Sequence, residues 1–149
     1  MEQGRKVLEA CGFNDDFSSP DRLPEPLDVD AEHRRWRSAI VQAAKREGLE
    51  FRHGVAAKLI DIYLKSRFVC GGHHADARVQ SLHPPIDDVL LKTLAQEDVG
   101  GHAKQWRQAR MARWSRLTSA EYQHLIRLIR ESLNGEPLWN IEEYWQGNQ

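Results

Sequence analysis

Two short stretches carry the residues best suited to covalent chemistry. Lys58 ends the run Gly54-Val55-Ala56-Ala57-Lys58, and Asp87 closes Pro84-Pro85-Ile86-Asp87. A primary amine is a nucleophile, and the positive dipole end of a helix's first turn disfavours its ammonium form. The same dipole end favours a carboxylate, so Asp87, behind two prolines that open a helix, suits the capping of free N–H groups or the stabilisation of positive charge. Asp88 beside it can cap as well. Singly, each residue has an ordinary role, Lys58 as a solvated lysine and Asp87 as a cap. Their order together suggests chemistry.

Nucleic-acid contacts are suggested by two further features. Gly54 lacks a Cβ, so backbone there can approach a partner closely, and the free N–H groups of the following helix suit a phosphate; Arg52, His53 and Ala56 complete this turn. Downstream, Lys104, Arg107, Arg110, Arg113 and Arg116 recur every three residues with Trp106 and Trp114 between them. Such a stretch fits phosphate contacts and base stacking, and fits equally a solvated helix face with its tryptophans in the core. Cys70, His73 and His74, with His83 and His102 nearby, lack the paired C-x2-C spacing of a zinc centre, so a polar loop and no metal site are expected.

The elements that must position these residues are helical. Apolar residues at Trp36, Ile40, Ala43 and Ala44 mark an amphipathic helix from about Asp30 to Gly48, preceded by a short helix near 4–11. Residues 14–32 combine three prolines with seven acids and read as an extended surface connector. A turn at 51–54 leads into a helix running to Phe68, and residues 70–82 read as a loop. Pro84-Pro85 open the next helix, Gly100-Gly101 break it, and residues 102–114 have helical composition. Thr118-Ser119-Ala120-Glu121 is a capping box for a helix that stops at Asn134-Gly135. Trp139, Ile141 and Trp145 of the tail are expected to pack on the bundle. No segment sustains the two-residue alternation of a strand, so the expectation is one all-α domain over 1–149.

The chain has 149 residues, enough to bury a core without disulfides or metal, and five tryptophans. Its net charge is −1, from 21 basic and 22 acidic residues, which excludes bulk electrostatic attraction to nucleic acid and leaves local charge to do that work. Two cysteines make no disulfide framework. With no apolar leader at its start and no long apolar run, a cytoplasmic protein without a membrane span is expected.

From Gly54 to Asp87 the chain resembles the helix-hairpin-helix DNA glycosylases, in particular their lysine-using 8-oxoguanine branch. There a G-V-G-x-K hairpin carries the catalytic lysine, and P-[VI]-D at a following helix start carries the catalytic aspartate; here they read Gly54-Val55-Ala56-Ala57-Lys58 and Pro85-Ile86-Asp87. The resemblance covers about residues 50–95. It implies that damaged duplex DNA binds along the hairpin and that an oxidised purine is flipped out. Lys58 would attack the sugar C1′ to form a Schiff base, and Asp87 would stabilise the developing positive charge. No cofactor is implied beyond the family's hairpin-bound monovalent cation. Ala56 stands where the family has its second glycine, and the chain is shorter than typical members. The alternative is a non-catalytic DNA- or protein-binding module on the same helical scaffold.

Overall fold

The interior is divided into two apolar clusters, and one helix, α3, belongs to both. The computed structural model describes residues 2–14 and 17–145. Its helices are α1 (Glu2–Glu9), α2 (Val29–Arg46), α3 (His53–Leu64), α4 (Ala77–Gln80), α5 (Asp88–Gln96), α6 (Ala103–Ala112) and α7 (Ser119–Leu133). A π-helical segment, Lys65–His73, continues α3, and a 3-10 helix, Leu138–Tyr144, follows α7. The described residues contain no strand, so the class is all-α.

α3 contributes Ala56, Ile60 and Leu64 to the first cluster, with Val7, Phe13, Trp36, Ile40 and Phe68. One residue round the helix, Ala57 joins the second cluster, with Leu90, Leu91 and Leu94 of α5, Trp106 of α6, Ile126 and Ile129 of α7, and Ile141 of the tail. Burying both flanks leaves α3 only a narrow solvent strip, and Lys58 lies on it.

Several boundaries differ from expectation for identifiable reasons. Gly48, at φ +76°, closes α2, and α3 then starts at His53, so Gly54–Lys58 form its first two turns rather than a turn between helices. Within the expected loop over 70–82, residues 70–80 are helical apart from a short break; the Asp76 side chain accepts from the Arg78 N–H and caps α4. Pro84 and Pro85 lie ahead of α5, whose N-cap is Asp87. The acidic connector is more than a surface strand. It forms two 3-10 turns, Pro20–Arg22 and Pro26–Asp28, and buries Leu23 and Val29, while its Asp15 and Asp16 lie outside the described residues. The capping box at Thr118 and Glu121 forms as expected, and α7 ends at Asn134 in the left-handed region.

Candidate functional site

Lys58 and Asp87 face one another at the seam between the clusters. Because α3 begins at His53, Lys58 is in the second turn, and what surrounds its amine is side chain rather than free helix N–H groups. Nζ lies 3.2 Å from Asp87 Oδ2 and 4.6 Å from the centre of the Trp114 ring. The amine thus sits between a carboxylate and an aromatic face, both complementary to a cation.

Asp87 is held from three directions. As N-cap of α5 it accepts from the Leu90 N–H at 3.0 Å, and the Trp145 indole N–H reaches its two oxygens at 3.0 and 2.9 Å. Burial pushes the Asp87 carboxyl up, but these N–H donors and the Lys58 ammonium outweigh it and hold the group below the ordinary carboxylate range. An ionised carboxylate so held is an electrostatic partner with a fixed orientation.

The pair is sheltered and still reachable, with side-chain exposures of 27% for Lys58 and 14% for Asp87. It borders a cavity of about 390 Å³ that Ile62, Lys65, Cys70, Glu142 and Trp145 also line. That volume suits a small ligand or a single base with its sugar. Lys65 pairs with Glu142 at 2.6 Å and ties the tail to the segment after α3, which brings Trp145 to Asp87. Trp145 was expected to pack on the bundle; it is 47% exposed and serves the site instead. Its role had no signal in the sequence beyond an aromatic near the end of an apolar tail.

The residues expected to touch DNA divide. Gly54 and Ala56 are buried. The Gly54 N–H donates to the Leu117 carbonyl at 3.3 Å, and a Cβ at Gly54 would collide with the Trp114 carbonyl. The close approach that this glycine permits is therefore to the chain's own 114–117 segment, which blocks a phosphate there. Trp106 is fully buried and donates its indole N–H to the Val99 carbonyl at 3.0 Å, so it is a core residue and not a stacking platform. Arg52, Arg107, Arg110 and Arg113 are exposed and His53 is half-buried. Arg110 forms a two-pronged contact to Asp88, 2.8 and 3.2 Å, which fixes the basic face of α6 beside the N-terminus of α5. Arg113 takes φ +66°, uncommon for a residue with a side chain, where the chain turns to lay Trp114 against Lys58.

Cys70, His73 and His74 are exposed. Ligand-capable side chains converge elsewhere, at buried His33, Asp61 and His83, whose donor atoms lie within 4.8 Å of one another. A metal-bound histidine normally donates its second ring N–H to an acceptor. Here the second nitrogen of His33, Nδ1, faces Arg37 Nη1 at 2.6 Å, and a guanidinium only donates. His33 Nε2 must then carry the hydrogen, which disqualifies it as a ligand. The set does not fit a metal.

No protein-family model, curated protein or solved structure matches the chain, so the site's own geometry carries the functional argument.

Proposed function

We propose that the chain is a lysine-dependent DNA glycosylase and AP lyase acting on an oxidised purine, with Lys58 as nucleophile and Asp87 as its electrostatic partner. The observation that carries this reading is the 3.2 Å contact between the two side chains beside a cavity of about 390 Å³. Exposed Arg110, held by Asp88 next to Asp87, and exposed Arg113, next to Trp114, offer phosphate contacts, with exposed Arg107 on the same helix as Arg110.

In the proposed reaction the substrate sugar displaces Asp87 from Lys58, the Lys58 ammonium gives up a proton that the departing base takes, and the freed amine lone pair attacks C1′. The C1′–N bond breaks, and the base leaves with the electron pair and takes up that proton. The sugar ring opens as Lys58 Nζ becomes a protonated imine on C1′. Loss of a C2′ proton then expels the 3′ phosphate, and water returns the free amine. Asp87 stays ionised and faces the positive charge that develops on the sugar, a preorganised contact of the kind that contributes several kcal/mol. The Trp145 and Leu90 N–H groups keep that carboxylate in place.

The covering of Gly54 by residues 114–117 favours a second reading, a non-catalytic helical module that binds DNA or protein. Borohydride reduction in the presence of lesion-bearing duplex DNA separates the two. A covalent protein–DNA adduct supports the enzyme. Salt-dependent DNA binding that survives Lys58→Gln, with no adduct and no base release on any of several lesions, overturns it in favour of the module.

A further inference from the structure

Behind the site, four elements are joined by a chain of buried polar side chains. His33 and Arg37 come from α2, Asp61 from α3, His83 from the segment before α5 and Tyr122 from α7; none is more than 3% exposed. The contacts run from Arg37 Nη1 to His33 Nδ1 (2.6 Å), His33 Nε2 to Asp61 Oδ1 (2.6 Å), Asp61 Oδ2 to Tyr122 Oη (3.0 Å), Tyr122 Oη to His83 Nδ1 (3.0 Å) and His83 Nε2 to Asp30 Oδ1 (2.8 Å).

Each contact needs one hydrogen, and the hydrogens can be counted. Arg37 supplies the first, and neutral His33 the second from Nε2, because its Nδ1 is the acceptor. Three contacts remain, yet neutral His83 and Tyr122 together hold two hydrogens. Asp30 cannot supply the third, because its carboxylate already accepts from both Arg130 terminal nitrogens and from Gln123. The missing proton therefore belongs to Asp61 or to His83.

We propose that this chain is a buried proton-binding site in which Asp61 is a neutral carboxylic acid, donating to Tyr122, which donates to His83, which donates to Asp30. The alternative places a carboxylate and an imidazolium in the interior, and each would lose its hydration. The surroundings agree. Burial pushes the Asp61 carboxyl well up, and burial together with neighbouring His33 pushes His83 down to about 4. The charged and titratable groups facing the chain are Arg37 and Asp30 on α2, Arg130 on α7, Arg34 and His53 beside Arg37, and, at longer range, Glu142 of the tail, which also raises Asp61. Arg37 is further held by Ser119 Oγ at 3.0 Å and by the Tyr122 ring at 4.5 Å. The chain clamps α3 to the 83–87 segment, the two pieces that carry Lys58 and Asp87, and the proton assignment does not depend on any catalytic role for them.

Asp61→Asn tests the assignment, because an amide keeps the acceptor and the donor of a neutral acid with one N–H to spare: its oxygen accepts from His33 and its NH2 donates to Tyr122. A folded-state pKa raised above 3.8 gives Asp61 stability that is present below that value and lost as pH rises through the folded pKa. For His83 the depressed value gives stability present above 6.5 and lost as pH falls toward about 4. Between those limits the two offset, and above pH 6.5 Asp61 acts alone. Because His83 titrates alike in both proteins, the wild-type unfolding constant should rise about tenfold per pH unit, relative to Asp61→Asn, from 3.8 up to the folded pKa of Asp61. Asp61→Asn should be at least as stable as the wild type near neutral pH, Asp61→Ala well below Asp61→Asn, and a carboxylic-acid carbonyl band in the neutral-pH infrared spectrum should vanish in Asp61→Asn. An Asp61→Asn protein as unstable as Asp61→Ala, or no such band in the wild type, overturns the proposal.

Discussion

Lys58 and Asp87, 29 positions apart in the chain, meet through a 3.2 Å contact between amine and carboxylate that closes over the seam of two apolar clusters. Each is placed by a different constraint. Lys58 lies on the one strip of α3 that neither cluster covers, and Asp87 is fixed as the N-cap of α5. The pair is therefore a consequence of how α3 and α5 pack.

Asp87→Asn keeps a cap acceptor for the Leu90 N–H and removes the charge. If Asp87 stabilises positive charge on the sugar, base release under single-turnover conditions should fall about 100- to 1,000-fold, the usual cost of losing one preorganised electrostatic contact. DNA affinity should change little, because the interaction is made in the transition state. Equal losses in binding and turnover would contradict the assignment.

The same carboxylate predicts an acid limb in stability. Its folded pKa is depressed, so its contribution is present above the unfolded value of 3.8 and is lost as pH falls through the folded value. Thermal melts of the wild type and Asp87→Asn should differ at neutral pH and converge as the pH drops below about 3.8. A gap that persists unchanged into that acid range would show that the charge of Asp87 is not what stabilises the fold.

Trp106 illustrates what the sequence leaves ambiguous. A tryptophan among arginines spaced by three reads as a stacking platform or as the buried edge of an amphipathic helix, and only packing against α5 and α7 decides for the second. Trp106→Ala should cost about 3–5 kcal/mol in denaturant unfolding, through the cavity it leaves and the lost bond to Val99. Binding per folded molecule should be unchanged; a selective loss of DNA affinity at wild-type stability would restore the stacking role.

Gly54 was legible as a close approach, and its partner was not: a glycine permits a phosphate or a carbonyl equally well, and here the Trp114 carbonyl is the one that comes near. The Lys58–Asp87 pair could be anticipated because each residue sits in a recognisable local context, a helix start and a prolyl N-cap. The chain from Arg37 to Asp30 could not be, since His33–Asp61, His83–Tyr122 and His83–Asp30 contacts span 28, 39 and 53 positions. One trace of it was present: His33 and Arg37 fall on the same helical stripe as Ile40 and Ala44, the buried face of α2. Similarly, the helical turns over residues 70–80 were hidden because Gly71-Gly72 look like a loop in isolation.

Arg107 and Arg110 share the exposed face of α6 but differ in their partners. No ion pair to Arg107 is found among the described residues, whereas Arg110 is held by Asp88. Arg107→Ala should weaken binding to all duplex sequences alike and lower the salt slope by about one. An unchanged slope would place the DNA on another face.

Peptide mapping of a borohydride-reduced adduct locates the amine that forms the Schiff base. After reduction on duplex DNA carrying an oxidised purine, a sugar-derived mass should appear on the peptide containing Lys58 and be lost in Lys58→Gln. An adduct on another lysine, such as Lys65 across the same cavity, or an undiminished adduct in Lys58→Gln, would contradict it.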